Sequence, residues 1–223
     1  MKILAIDTSS EYCSAALWYE GEIGTRETRA GQRHSELILG MVDELLASRQ
    51  LRVQALDGIA FGAGPGSFTG LRIACGVTQG LAFAAGIPVL GVGTLLAMAE
   101  AAQAERIVCC VDARKQEVYH AAYERSDGAW NTVHEPGLYA PAATPDLPAG
   151  EWFGGGSGFA AYREALMQRY AGKIAVIDAE LHPLARDIAR LAVPQFERGM
   201  GIDATLAAPL YIRDKVALKA GER

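Results

Sequence analysis

The chain has 223 residues, which is room for one large domain or two small ones. Hydrophobic residues make up 50% of it and charged residues 21%, a composition that excludes intrinsic disorder and permits a sizeable buried core. Its 21 Lys and Arg are outnumbered by 26 Asp and Glu and form no basic run, so at a net charge of −5 the chain is not expected to bind nucleic acid directly on its own.

The cysteines and the N-terminal residues indicate a reduced, cytoplasmic protein. The four cysteines share no Cys-x-x-Cys spacing, and three of them lie in apolar runs, which disfavours both zinc ligation and disulfides. Asp7 follows the first apolar run too early for a secretory leader, and no apolar stretch is long enough to span a membrane. We therefore expect a cytoplasmic location and no membrane contact.

In chain order, the first half predicts an α/β unit. Apolar runs separated by tight turns predict an antiparallel meander of strands at residues 3–6, 13–18 and 22–28. Apolar residues at steps of three and four predict a helix over 34–49. Strands and helices then alternate, with strands predicted at 56–61 and 88–92 and helices at 71–85 and 95–104.

The glycine-rich string GAGPGSFTGLR, residues 62–72, joins a predicted strand to a predicted helix. Backbone N–H groups at such a corner can bind an anion, and Ser67 or Thr69 is placed to cap the helix. The string lacks the Lys-Ser/Thr ending of a P-loop and the Gly-x-Gly-x-x-Gly spacing of a dinucleotide fold. A purely structural strand-to-helix corner stays open as the alternative.

A second pattern begins at Ile107 and echoes the first. A predicted strand ends in Asp112, as the first strand ends in Asp7, and the strand predicted at 118–123 carries an Ala-Ala pair like that of strand 13–18. The echo indicates an internal duplication. After it we predict an irregular loop over 128–150, a strand and glycine run at 152–159, a helix over 160–170, a strand at 173–177, a helix from His182 to about 193 and a compact tail at 208–213.

Several strings in this order resemble a known family. They are ILAIDTS (3–9), HSE (34–36), the glycine string at 62–72, VDARK and EVY (111–115 and 117–119), GGGS (154–157) and PLYIR (209–213). Together they resemble the TsaB family of bacterial tRNA threonylcarbamoyladenosine biosynthesis proteins, in the glycoprotease-like branch of the actin-like ATPase superfamily. They span nearly the whole chain, and residues 64–72 are the most specific of them.

The resemblance implies an α/β, actin-like (ribonuclease H-like) duplicated fold of two lobes with mixed sheets. The boundaries expected from it are 1–104 for the N-terminal lobe and 105–204 for the C-terminal lobe. The tail, 205–223, is expected to pack back on the first lobe.

The resemblance also implies a function. The chain would be a non-catalytic scaffold that pairs with and activates the transferase TsaD, recruits the ATPase TsaE and forms a homodimer when TsaD is absent. The modification would be made on the adenosine beside the anticodon, without direct tRNA binding by this chain alone.

The resemblance places a vestigial nucleotide site, for ATP or ADP with Mg²⁺, in three loops, although no cofactor would be required. Its residues would be Asp7, Thr8 and Ser9 in a first phosphate loop, Asp112 in a second, and Gly154, Gly155 and Gly156 in an adenosine loop. Arg114 and Lys115 replace the usual glycine of the second loop, which argues against ATP hydrolysis. The structural alternatives are a turn whose side chains bond their own backbone and a close crossing of two backbones.

Catalysis by this chain is disfavoured, and no metal site is expected. The resemblance implies that the transferase holds its metal with a His-x-x-x-His pair where this chain has Thr94 and Met98. The rival hypothesis is an enzyme, either a small ATPase or kinase or a glycoprotease-like peptidase, but the string around Ser67 misses the Gly-x-Ser-x-Gly elbow. A third hypothesis is an interaction module that binds no nucleotide.

The helices predicted at 34–49 and 71–85 are candidates for the partner interface. Each buries one face in its own domain, and the resemblance implies that the other faces meet the same helices of a partner chain. The residues predicted for this interface are His34, Leu37, Met41, Arg72 and Gln79.

Overall fold

A computed structural model describes residues 1–213 of the chain. Two five-stranded mixed sheets carry helices on their faces. The first sheet contains β1 to β5, which are Lys2–Asp7, Tyr12–Tyr19, Glu22–Arg29, Gly58–Gly64 and Val89–Gly93. The second contains β6 to β10, which are Arg106–Asp112, Val118–Ser126, Ala129–Tyr139, Trp152–Gly155 and Ile174–Asp178. Helices α1 to α6 are His34–Ser48, Phe68–Ala85, Thr94–Ala102, Gly158–Ala161, Arg163–Arg169 and Ala185–Glu197.

The two sheets have the same topology, as an internal duplication requires. The strand order is β3-β2-β1-β4-β5 in the first sheet and β8-β7-β6-β9-β10 in the second. In both, the first three strands form an antiparallel meander and the last two run parallel to the first strand. Asp7 ends β1 and Asp112 ends β6, so the two aspartates occupy equivalent positions. The predicted α/β, duplicated two-sheet fold is confirmed.

The Ala-Ala echo, however, is not in register between the lobes. Ala15 lies opposite Ile6, the last residue before the end of β1. Ala121 lies opposite Cys109, which is three residues from the end of β6. The repeat therefore resides in the order of the strands and in the two terminal aspartates, and the alanine pairs are coincidental to it.

Helices α3 and α6 are exchanged between the lobes. Helices α1 and α2 cover the face of the first sheet that carries Leu4 and Ile6. The opposite face, with Ile3 and Ala5, is covered by α6, which follows the second sheet in sequence. In return α3, which follows the first sheet, packs Leu95 and Met98 against the second sheet. Helices α4 and α5 cover the remaining face of the second sheet.

Because of this exchange, one helix within the bounds expected for the second lobe packs on the first lobe. Helix α6 falls within 105–204, yet its Ile188 and Ala189 lie in the core of the first lobe. The physical reason is that the first sheet is apolar on both faces, and α1 and α2 cover only one of them. A division made by position along the chain cannot represent an element that packs on the other half.

The irregular loop predicted over 128–150 is wrong in its first half. Ala129–Tyr139 forms β8, an edge strand that pairs with β7. Its Pro136 and Gly137 argue against a strand by local propensity. An edge position tolerates them, because one row of backbone groups needs no partner and the register of β7 and β8 shifts between His120 and Ala122.

Three predicted helices differ from the structure by three residues or more at one end, or by an interruption. Helix α2 begins at Phe68, because the Ser67 side chain accepts a hydrogen bond from the Gly70 N–H at 3.3 Å and caps it there. The helix predicted over 160–170 is interrupted at Tyr162 and becomes α4 and α5. Helix α6 begins at Ala185, after His182. No helix within residues 1–213 combines the length and the apolar character needed to cross a bilayer.

The chain after α6 returns along the first lobe. Ile202 pairs with Val89 at the edge of β5, and Ala204 and Ala207 are buried in the first core. Leu210 donates its backbone N–H to the Ala63 carbonyl at 2.7 Å, at the end of β4. Residues 202–210 therefore lie on the first lobe, as expected for the tail, and the rest of the predicted segment, 214–223, lies outside the described residues.

Candidate functional site

A cleft of about 1450 Å³ separates the two lobes. The first lobe lines it with Ser9, Ser10 and the start of α2, and the second lobe lines it with Asp112, Arg114 and Ser157. Residues 210–213 contribute a further side. Of the residues predicted to bind a nucleotide, Ser9 and Asp112 line the cleft, whereas Asp7, Thr8, Gly154, Gly155 and Gly156 do not.

Asp7 is completely buried, on the side of the sheet that α6 covers. One carboxylate oxygen accepts hydrogen bonds from the Ser9 N–H at 3.2 Å and from the Ser9 hydroxyl at 3.0 Å. The other oxygen has no hydrogen-bond partner and lies so close to Gly62 that any side chain there would overlap it. Desolvation raises the pKa of Asp7 to about 7, although the bonds from Ser9 act to lower it. The cause of this shift is burial, which disfavours the charged carboxylate.

The loop after β1 is joined to the start of α2 by hydrogen bonds. The Thr8 hydroxyl donates to the Gly70 carbonyl at 2.6 Å, and the Ser67 N–H donates to the Ser9 carbonyl at 2.8 Å. Gly70 approaches the Thr8 backbone too closely for any Cβ to fit between them. The polar groups of Thr8 and Ser9 are thus used to hold the strand-to-helix corner, which favours the structural alternative for these residues.

Asp112 belongs to a strained turn at the cleft. Its side chain accepts hydrogen bonds from the Arg114 N–H at 2.8 Å and from the Tyr162 hydroxyl at 3.0 Å, and the Arg114 guanidinium lies 3.4 Å from its second oxygen. Arg114, Lys115 and Gln116 all have left-handed backbone angles, with φ of 62°, 53° and 60°. These three residues adopt a backbone conformation that favours glycine, although none of them is glycine. The positive charge beside the Asp112 carboxylate is the Arg114 guanidinium.

The glycine run at 154–156 is a close crossing within the second lobe. A Cβ on Gly154 would lie 2.8 Å from the Phe159 ring, and one on Gly155 would lie 2.6 Å from the Leu181 side chain. At Gly156, φ is +107° and the Cys110 carbonyl lies 2.6 Å from where the Cβ would be. Protein atoms already occupy the space that these glycines leave.

These residues, as arranged, do not fit a magnesium–nucleotide complex. The first aspartate faces the core with an unpaired oxygen, the second is held by Arg114 and Tyr162, and the glycines face their own chain. Within residues 1–213, no group of three or more His, Cys, Asp or Glu side chains is arranged to hold a metal ion.

The residues predicted for a partner interface make contacts within the chain. His34 is buried, and its Nε2 lies 3.0 Å from the Ser10 carbonyl. Arg72 donates from Nε to the Tyr211 hydroxyl at 2.9 Å, and Gln79 donates to the Ala207 carbonyl at 3.4 Å. Two further predicted residues, Leu37 and Met41, are half-buried against the first core.

Helices α1 and α2 also carry apolar and small residues that are exposed on their outer sides. Leu39 is 48% exposed on α1, and Phe83 is 73% exposed on α2. Gly40, Gly76 and Gly80 have no atom within 4 Å of where a Cβ would stand. We call these five residues the α1–α2 face. It combines exposed apolar side chains with small residues that leave room for another helix.

Sequence reasoning missed the residues that hold the two aspartates in place. Gly62 makes room for Asp7, Tyr162 reaches Asp112 from the break between α4 and α5, and the Ser157 hydroxyl accepts from the Asp112 N–H at 3.1 Å. Ser157 could have been predicted from its place after the glycine run, whereas no local sequence pattern identifies Tyr162 as a contact of Asp112. Its contact with Asp112 joins residues 50 positions apart.

The comparisons with known proteins agree along nearly the whole chain. A family model described as "TsaD: tRNA N6-adenosine threonylcarbamoyltransferase" matches residues 21–220. The TsaB proteins of Escherichia coli and Haemophilus influenzae, both named as tRNA threonylcarbamoyladenosine biosynthesis proteins, are 35% and 37% identical to this chain. Each of these two alignments covers 98% of this chain, with 97% of the first relative and 96% of the second.

Solved structures from Pseudomonas aeruginosa share the fold. One is described as an uncharacterized protein with similarity to peptidase YeaZ, and it superposes with a TM-score of 0.87 at 39% identity, covering 95% of this chain and 99% of its own. A second, described as YeaZ, has the same TM-score at 38% identity and covers 94% and 99%. The similarity of sequence and of fold, together with the two equivalent strand-end aspartates, leads to one conclusion: the chain belongs to the TsaB family of tRNA threonylcarbamoyladenosine biosynthesis proteins.

Proposed function

We propose that the chain acts in tRNA threonylcarbamoyladenosine biosynthesis as a non-catalytic partner, which pairs with a TsaD-type transferase, activates it and recruits the ATPase TsaE. The names of its relatives support the pathway. The transferase model that matches residues 21–220 supports the choice of partner, because two chains of one architecture can pair through equivalent helices. The observation that carries the proposal is the α1–α2 face.

The α1–α2 face has the character of a helix-packing surface. Gly76 and Gly80 lie one turn apart on α2, so another helix can approach its backbone closely. Leu39 and Phe83 supply exposed apolar area that a partner would bury. Homodimer formation and transferase pairing would use the same face and therefore compete.

A single substitution on this face tests the pairing. Gly80→Arg puts a long charged side chain into open space, so the fold tolerates it and the helix itself gains propensity. Gln168→Arg on exposed α5 is the charge-matched control. We expect size-exclusion chromatography with light scattering to show a one-to-one unit with the host's TsaD for the parent chain and the control, and none for Gly80→Arg. Equal pairing by all three chains would contradict this interface.

The cellular role is tested by the same variants. A host strain depleted of this protein should lose threonylcarbamoyladenosine from its tRNA, measured by mass spectrometry of digested nucleosides. The parent chain and Gln168→Arg should restore the modification, and Gly80→Arg should not. Unchanged modification in the depleted strain would refute the proposed pathway.

We also propose that this chain works without a nucleotide of its own. The burial of Asp7 and the filled glycine run support this. Isothermal titration with Mg-ATP should give no heat of binding, and the purified chain should not hydrolyse ATP. Turnover by the isolated chain that is lost in Asp112→Asn would instead support the small ATPase or kinase.

A further inference from the structure

Residues 204–213, which we call the C-terminal strap, run along the first lobe to the mouth of the cleft. Ala204 and Ala207 are buried in the first core, and Leu210 bonds to the Ala63 carbonyl. Gly64 has a φ of +124°, and a Cβ there would lie 2.7 Å from the Leu210 carbonyl oxygen. The end of β4 is thus shaped to let the strap backbone pass against it.

The strap is next held by a stack of side chains. The Arg72 guanidinium lies 3.8 Å from the centre of the Phe68 ring and donates to the Tyr211 hydroxyl. The Phe68 and Tyr211 rings are 5.4 Å apart. All of these contacts belong to the first lobe, and they fix the direction in which the strap leaves it.

The last described residue of the strap crosses to the second lobe. Arg213 forms an ion pair with Glu117, in which the side chains are only 17% and 36% exposed. Glu117 closes the turn at 112–117: its carbonyl accepts from the Ala113 N–H at 2.9 Å, and its N–H donates to the Arg114 carbonyl at 3.1 Å. The strap is therefore bound, through this ion pair, to the strained turn that contains Asp112.

The turn at 112–117 is strained, so its conformation depends on contacts such as the Arg213–Glu117 ion pair. Three successive residues without glycine stay in the left-handed region only when surrounding contacts enforce it. Those contacts include the bonds of Asp112, among them the one from Tyr162, the backbone bonds of Glu117, and the ion pair of Glu117 with Arg213. Loss of the ion pair removes a restraint on the turn and an attachment between the lobes at the same time.

We propose that the C-terminal strap is a latch between the lobes, in which the Arg213–Glu117 pair holds the 112–117 turn in its strained shape and keeps the cleft at its observed opening. A ligand or partner that displaces the strap would release the turn and open the cleft. This inference is independent of the proposed function, because it requires neither a transferase nor RNA.

Hydrogen exchange of the full chain tests the latch, since amide exchange reports opening even when the open state is rare. We expect Arg213→Gln and Glu117→Gln each to speed exchange in 204–213 and in 112–117 about two- to five-fold. The double charge reversal, Glu117→Arg with Arg213→Glu, should return both segments toward the parent rate. Arg26→Gln, which removes the Arg26–Glu44 pair within the first lobe, is the matched control and should change neither segment.

A variant that acts from the first lobe makes the test decisive. Tyr211→Ala loosens the strap without touching Glu117, so a latch predicts faster exchange in the turn of the other lobe as well. Exchange of the β1 amides, which are buried in the core, should stay constant and so exclude global unfolding. The latch would be refuted if Tyr211→Ala or Arg213→Gln sped up the strap and left 112–117 at the parent rate.

Discussion

Two buried titratable side chains dominate the chemistry at the scale of single residues. Asp7 has an unpaired carboxylate oxygen, and His120 in the second lobe has no hydrogen-bond partner at either ring nitrogen. His120 is packed among His134, Tyr139 and Tyr170, with ring centres 5.7 to 6.4 Å away. Both side chains carry a cost of burial, and that cost depends on pH.

Asp7 is expected to destabilise the fold at neutral and alkaline pH. Its pKa is raised from 3.8 to about 7, so the folded chain binds the proton more tightly, and stability falls as pH rises through this window. Asp7→Asn should raise the free energy of unfolding at pH 8 by about 1–3 kcal/mol, with little difference at pH 4. Urea unfolding measures this, and exposed Asp43→Asn is the control. A destabilised Asp7→Asn at pH 8 would show that the charged form is needed.

His120 has the opposite pH dependence. Burial, with a smaller contribution from His134 and Arg169, lowers its pKa from 6.5 to about 3. The unfolded chain therefore takes up the proton first, and stability is lost as pH falls below 6.5, by up to about 1.4 kcal/mol per pH unit. Relative to the parent, His120→Gln should lose this slope between pH 6 and 4. Parallel pH profiles of the two chains would contradict the assignment.

At the scale of elements, the corner between β4 and α2 organises the first lobe. Ser67 caps α2, Gly70 lets the helix start touch Thr8, and Ser9 bonds back to Ser67. Gly70 cannot be replaced by a larger residue, because a Cβ there would overlap the Thr8 backbone. The most recognisable string of the chain is therefore explained by packing and capping within the lobe, in addition to any role toward a partner.

The cap of α2 gives a prediction at this scale. Ser67→Ala removes the acceptor for the Gly70 N–H and should lower the free energy of unfolding by about 1 kcal/mol, measured by thermal or urea unfolding. Ser35→Ala, at an exposed position in the first turn of α1, should cost much less. Equal losses for the two variants would mean that the hydroxyl of Ser67 does not cap the helix.

At the scale of the whole molecule, the exchange of α3 and α6 makes the lobes interdependent. Neither half of the chain contains all the helices that cover its own sheet. The two helices also contact each other between the sheets. The lobes are therefore expected to unfold together, although each has its own sheet.

Truncation tests this interdependence. A fragment of residues 1–104 lacks α6 and leaves Ile3, Ala5 and Ala60 without cover, so it should aggregate or bind a hydrophobic dye. Co-expression with the remaining residues, 105–223, should restore a compact complex. A monomeric fragment 1–104 with cooperative unfolding would show that the first lobe is autonomous.

The sequence alone predicted most elements and the fold class. Period-two and period-three-to-four patterns are local, and the recurrence of a strand ending in aspartate identified the duplication. The strand β8 was missed because its glycine and proline are unfavourable by propensity, and only pairing with β7 compensates for them. Had the duplication been applied strictly, a third strand would have been expected after 118–123, since β3 follows β2 in the first half.

The site was predicted less completely than the fold. Residue types placed Asp7, Asp112 and the glycine runs at strand ends, and the structure has them there. Which way each side chain faces was decided by tertiary structure alone. The packing of α6 on the first sheet buries Asp7. The Asp112 carboxylate accepts a hydrogen bond from Tyr162 and forms an ion pair with Arg114. Arg72 and Gln79 donate hydrogen bonds to Tyr211 and Ala207 of the C-terminal strap. Periodicity describes only neighbours along the chain, whereas these contacts join residues far apart in it, so their outcome depends on which surfaces the fold brings together.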